Sequence, residues 1–70
     1  MAYHPLTNET GGTAEDRRVE AERILDIMHE NGIIASLNDK ERYFVEYLDP
    51  SRGVSPKQLF WLRDIKDKYL

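Results

Sequence analysis

From Val54 to Tyr69 the apolar residues recur at helical spacing. Trp61, Leu62, Ile65 and Tyr69 fall on one face of a helix, Leu59 widens that face, and Phe60 sits on another flank. Three start signals precede the run. Ser55 offers an oxygen to a free N–H of the first turn, Gln58 three residues later completes a capping box, and Pro56 takes the first helical position, where its missing N–H costs nothing. Val54 and Leu59 have the spacing of a hydrophobic staple, which fixes the angle at which the chain enters the helix.

A second stripe lies upstream. Ala21, Ile24, Leu25 and Met28, flanked by Ile27, predict a helix that begins at Thr13. Thr13 with Asp16 is a weaker version of the capping box there, and Glu15 and Asp16 suit the positive end of the helix dipole. Asn31-Gly32 is the stop, because either residue can take the left-handed conformation after a last turn. The short apolar run Ile33, Ile34, Ala35 and Leu37 follows. A lone strand would have no partner, so the run reads as a buried connector or one helical turn.

Asn38, with Glu41 reaching back, caps a further helix from Asp39 to about Leu48. Its inward face is Phe44, Val45 and Leu48, while Tyr43 and Tyr47, one turn apart, are expected to be half exposed. Asp49-Pro50-Ser51-Arg52-Gly53 ends it, since Pro50 blocks continuation and Gly53 is free to turn.

The pattern predicts an all-α fold, a small three-helix domain over residues 13–70 with a flexible N-terminal arm over residues 1–12. The expected core is Trp61, Leu62, Ile65, Phe44, Leu48, Ile24, Leu25 and Met28. The last two helices, both capped and joined by a short loop, are expected to be the tighter pair. The arm holds Pro5, Asn8 and Gly11-Gly12 and lacks apolar periodicity. Tyr3, His4 and Leu6 stand out within it as side chains able to order against the domain or a partner.

Composition narrows the function. Seventy residues make one small domain that buries a modest fraction of its surface. The chain has no cysteine, which excludes disulfides and thiolate chemistry and fits a reducing cytoplasm. With two histidines and no cysteine, neither a zinc site nor another metal or cofactor site is expected. No apolar run reaches membrane-spanning length, and no basic region followed by an apolar stretch marks a secretory leader.

The charge is uneven. Residues 1–32 hold seven acids against three arginines, and residues 33–70 hold six acids against seven bases. An acidic front half repels nucleic acid and attracts basic protein surfaces, which singles out Glu15, Glu20 and Glu22; a solvated helix face accounts for the same residues. Arg52, Lys57, Arg63 and Lys66, with the nearby aromatics, form the opposing candidate, a surface that binds single-stranded nucleic acid by charge and stacking. Asp64 and Asp67 interrupt that surface, and the domain as a whole is not basic.

Catalytic patterns fail on inspection. His29-Glu30 begins the metalloprotease helix motif, but Ile33 stands where the second histidine belongs and Gly32 breaks the helix. His29 is explained by its place near a helix C-terminus. Ser55 is a cap with no acid–histidine pair to activate it, and Gly11-Gly12 lacks the Lys-Ser/Thr of a phosphate loop. The expectation is a protein that is not an enzyme.

One stretch resembles a known module. Glu41-Arg42-Tyr43-Phe44-Val45-x-x-Leu48, a short polar loop, then Val54-Ser55-Pro56-Lys57-Gln58-x-x-Trp61-Leu62-x-x-Ile65 is similar to a short helical module of small phage proteins and of proteins of phage nucleic-acid metabolism. That module often reads F-V-x-x-L followed by L-S-x-K-Q-x-x-W-L; here Val54 stands where leucine is common. The resemblance covers about the last thirty residues and implies a helical hairpin and a phage setting more than an activity. In size, acidity and lack of cysteine the whole chain resembles small phage regulators that bind host RNA polymerase.

Two functions follow as expectations. The first is a non-enzymatic phage regulator in the host bacterial cytoplasm. It would bind a host protein with a basic surface, RNA polymerase foremost, to inhibit or redirect transcription, antitermination included. Tyr3, His4, Leu6, Glu15, Glu20 and Glu22 would carry that contact. The second is an accessory protein of phage replication or repair that binds single-stranded nucleic acid through Arg52, Lys57, Arg63 and Lys66.

Overall fold

The computed structural model describes residues 12–70. Three α-helices follow one another: α1 (Ala14–Glu30), α2 (Asp39–Tyr47) and α3 (Pro56–Tyr69). The two connections each contain a 3₁₀ turn, Ile33–Ser36 and Pro50–Arg52, and the described residues contain no strand. The fold is all-α. Of the two readings left open for the Ile33–Leu37 run, a buried connector or one helical turn, Ile33–Ser36 forms a 3₁₀ turn, and Ile33 and Leu37 are buried.

Every helix starts on a reciprocal capping box. Thr13 Oγ1 accepts from the Asp16 N–H and Asp16 Oδ2 from the Thr13 N–H, both at 3.1 Å. Asn38 and Glu41 exchange the same bonds at 2.8 and 3.0 Å, and Ser55 and Gln58 at 3.1 and 2.9 Å. Each box satisfies two backbone donors that would otherwise face solvent, which fixes where the helices begin. At the far end of α1 it is Gly32, with φ 67°, that takes the left-handed conformation, while Asn31 remains at φ −92°.

The core is contributed by Ala21, Ile24 and Met28 of α1, Ile33 and Leu37 of the first connection, Val45 of α2, Val54, and Leu59, Leu62 and Ile65 of α3. Full burial of a side chain the size of Leu59 or Leu62 stabilises by roughly 1.5–3 kcal/mol. Both residues of the Val54–Leu59 pair are buried in this core.

Two expectations are corrected. The closest helix pair is α1 with α3, not α2 with α3. α2 is only nine residues long, whereas α1 and α3 have seventeen and fourteen residues with which to meet. Polar links reinforce that pairing: the Arg17 Nε–H donates to the Val54 carbonyl at 2.6 Å, and Arg63 reaches Glu20 across the two helices. Trp61 is not core; it is 40% exposed. Leu59, Leu62 and Ile65 already complete the stripe that meets α1, and at 100° per residue Trp61 lies roughly 90° round from the middle of that stripe. Phe44, Leu48 and Leu25 are half-buried and pack on the rim of the core rather than inside it.

Among the described residues one charged side chain is buried. Glu41, the capping partner of Asn38, accepts from the Tyr69 hydroxyl at 2.7 Å and from Lys68 Nζ at 3.1 Å. It thereby joins the first turn of α2 to the last turn of α3. These bonds, the Tyr69 one foremost, hold its carboxyl below the usual carboxylate range in spite of burial. Among the described residues no buried side-chain nitrogen or oxygen lacks a partner. No helix among them is long and apolar enough to cross a membrane.

Candidate functional site

The outer faces of α2 and α3 meet in a groove of about 730 Å³ that has aromatic walls. α2 presents Tyr43 and Tyr47, four residues apart and so one above the other, with ring centroids at 4.5 Å. Its next residue round, Phe44, stacks on Trp61 of α3 with centroids at 4.2 Å and planes 17° apart. All four rings line the groove, with Leu48 and Gly53 between them and Asp39, Lys40, Asp49, Arg52 and Gln58 around the edge.

These rings are exposed for a physical reason. Glu41 and Val45 turn α2's buried face toward the core, which leaves Tyr43 and Tyr47 on the opposite side, 66% and 72% exposed. Aromatic pairs of this size in the open are uncommon on a small domain and mark contact surfaces. The Glu41–Tyr69 bond ties the first turn of α2 to the last turn of α3.

The polar edge is asymmetric in its hydrogen bonding. One oxygen of Asp49 is occupied: the Ser51 hydroxyl and N–H donate to its Oδ1 at 2.6 and 3.1 Å and, with the nearby charge of Arg52, hold the carboxyl below its usual range. Gln58 Oε1 is occupied by the Ser55 N–H. Among the described residues, the hydroxyls of Tyr43 and Tyr47, the indole N–H of Trp61 and the side chains of Lys40 and Arg52 make no hydrogen bond or ion pair. The groove therefore offers ring faces with both donors and acceptors at its edge, Asp39 and Asp49 Oδ2 among the acceptors.

The residues singled out from the sequence are distributed differently. Glu20 and Arg63, assigned to opposing surfaces, bind each other: Arg63 Nε and Nη2 donate to the two carboxylate oxygens at 2.6 and 2.8 Å. The guanidinium hydrogen bonds hold Glu20 below the usual carboxylate range, with Lys66 and Arg23 adding to the effect, and Glu20 in turn raises Arg63. Arg63 also sits 5.5 Å over the Phe60 ring. Glu15 and Glu22 both pair with Arg18, at 3.3 and 2.7 Å, which lowers the net acidity of that face of α1. Lys57 is exposed in the first turn of α3. Arg52 alone of the four candidate bases lines the groove. Tyr3, His4 and Leu6 lie outside the described residues.

No protein-family model, curated protein or solved structure matches this chain.

The sequence marks Tyr43 and Tyr47 as neighbours but gives no sign that Phe44 and Trp61 complete the same surface. Both rings read as core by periodicity, and their meeting depends on the angle between two helices. The one available signal was redundancy: α3 already has a full stripe in Leu59, Leu62, Ile65 and Tyr69, so Trp61 is surplus to it.

Proposed function

We propose that the chain is a non-enzymatic phage regulator that acts by holding a host protein, with bacterial RNA polymerase first among the candidates, and that the aromatic groove between α2 and α3 makes the contact. The observation that supports this reading most is the exposure of Tyr43, Tyr47 and Trp61 around one concave surface. Interface hot spots are rich in Tyr, Trp and Arg set in such pockets, and Arg52 completes the set here. The likeness of the α2–α3 segment to the phage module supports the setting. Glu15 and Glu22 then serve as steering charges rather than anchors, because Arg18 shares both.

Ring faces also stack on nucleobases, so single-stranded nucleic acid is the second ligand to test. The groove edge carries two acids beside its two bases, and Arg63 is held by Glu20, which favours a protein partner. Purified polymerase and single-stranded oligonucleotides are titrated against the intact protein and against a Tyr43→Ala/Tyr47→Ala variant. The expected outcome is binding to polymerase that the double variant loses, with weak oligonucleotide binding. Tight oligonucleotide binding with none to polymerase would overturn the proposal.

A further inference from the structure

We propose that the aromatic groove is also the face through which two copies of this chain pair, α2 against α2 about a two-fold axis. The inference goes beyond the proposed host contact and does not depend on it. The same face would serve both, one at a time.

The order of residues along α2 makes this face self-complementary. Tyr43 and Tyr47 lie at its middle. Asp39 and Lys40 precede them at the N-terminal end, and Asp49 and Arg52 follow them past the C-terminal end. Each end therefore carries one acid and one base, and all four side chains are exposed. A two-fold axis through the tyrosine pair sets the two α2 helices antiparallel and brings each N-terminal end to the C-terminal end of the other copy. Asp39 then meets Arg52 of the other copy and Lys40 meets its Asp49, and symmetry makes each pair twice. Within one chain the charge of Arg52 acts on Asp49, but among the described residues the two form no ion pair and Asp49 Oδ2 accepts no hydrogen bond. The helix dipoles, opposed in this arrangement, add to the attraction.

Hydrogen-bonding capacity and shape are matched in the same way. The face carries open donors in the Tyr43 and Tyr47 hydroxyls and the Trp61 indole, and open acceptors in Asp39 and Asp49 Oδ2. A second copy supplies the complement of each set. Tyr43 and Tyr47 are the more exposed wall, while Trp61 is less exposed and stacked on Phe44. The tyrosine wall of one copy lies in the groove of the other, whose own wall lies in the first groove. An unrelated partner would have to present both charges at both ends in the matching order; a second copy presents them by symmetry. Aromatic side chains bury about 150–250 Å² each, so the exposed parts of these three rings amount to roughly 350 Å² per copy, against roughly 800 Å² per partner in a standard interface. The pairing is therefore weak, with a Kd on the order of 10–100 μM, and a tighter ligand displaces it.

Sedimentation equilibrium of the intact protein from about 1 μM to about 1 mM is expected to show a reversible monomer–dimer transition. Trp61 is the sole tryptophan, so its emission on dilution gives a second readout at the same face. Tyr43→Ala/Tyr47→Ala is expected to stay monomeric and keep its helical circular dichroism, since both tyrosines are exposed. Lys40→Glu sets a carboxylate against Asp49 of the other copy, and Asp49→Lys sets an ammonium against its Lys40. Either variant alone is expected to pair about fivefold or more weakly, while an equimolar mixture of the two recovers pairing as a mixed dimer. Where either loses its helical signal, Asp39→Lys and Arg52→Glu form the second set. A monomer at about 1 mM, pairing that survives the tyrosine variant, or a mixture that recovers nothing would overturn the inference. Polymerase or oligo-dT bound through the groove of a chain that never dimerises removes this inference; in the polymerase case the proposed function stands. Dimerisation without polymerase binding supports this inference and removes the proposed partner.

Discussion

Glu20 of α1 and Arg63 of α3 form a two-pronged ion pair, with the guanidinium donating to both carboxylate oxygens at 2.6 and 2.8 Å. Each side chain is about a third exposed or less, so the pair is neither freely solvated nor sealed in the core. It bridges the two helices that pack most closely, and it takes one residue from each of the two binding surfaces that charge alone suggests.

A double-mutant cycle measures that bridge. Glu20→Gln and Arg63→Gln, alone and together, are expected to show a coupling of roughly 0.5–1.5 kcal/mol, above a typical surface pair because the geometry is bidentate and partly shielded. Urea unfolding followed by circular dichroism gives the four stabilities. Additive effects would show that this ion pair adds no coupling between the two helices.

Leu62 and Trp61 are neighbours in sequence with opposite roles. Leu62→Ala opens a cavity among Leu59, Ile65 and the α1 stripe and is expected to cost about 2–5 kcal/mol, enough to unfold much of so small a domain. Trp61→Ala removes a half-open ring and its stacking on Phe44, and the expected loss is smaller, on the order of 1–2 kcal/mol. Thermal melts of the two variants rank them; the reverse order would put Trp61 back in the core.

The start of α3 depends on Ser55. Its oxygen accepts from the Gln58 N–H at 3.1 Å, and the Ser55→Ala variant is expected to lose about 0.5–2 kcal/mol. Amide exchange offers a local readout, because the Gln58 N–H is left without its acceptor and should exchange faster, while amides in the middle of α1 change little.

Acid is expected to open the α2–α3 latch. The folded-state pKa of Glu41 lies below its ordinary value of 4.5, held there first by Tyr69 and then by Asn38 and Lys68. Such a carboxyl contributes stability that is fully present above the unfolded pKa and is lost as pH falls through the folded pKa. The melting temperature should therefore be level from about pH 7 to about pH 5 and decline below it. Glu20 and Asp49, both also lowered, act in the same sense. Tyr69→Phe removes the largest cause of the Glu41 shift and should flatten part of the acid decline; an unchanged pH profile would exclude the latch as its source.

The local structure was largely legible in the chain itself. Thr13/Asp16, Asn38/Glu41 and Ser55/Gln58 each announce a helix start because a capping box involves residues only three apart. Gly32 announces a helix end through its own backbone freedom, and the Val54–Leu59 staple follows from fixed spacing. Interactions this local are decided before any helix meets another. What periodicity left open was which part of each apolar arc faces inward, since an arc wider than the contact leaves residues at its edge. The tertiary structure decided this by laying α3 along α1. That choice buried Leu59, Leu62 and Ile65, moved Trp61 to the rim beside Phe44, and joined Glu20 to Arg63 across forty-three positions of sequence. It also made a buried partner of Glu41, whose sequence role is a cap and whose second role exists only because Tyr69 and Lys68 arrive beside it. The groove has the same origin: its four rings come from two helices, and only the angle between those helices makes them one surface.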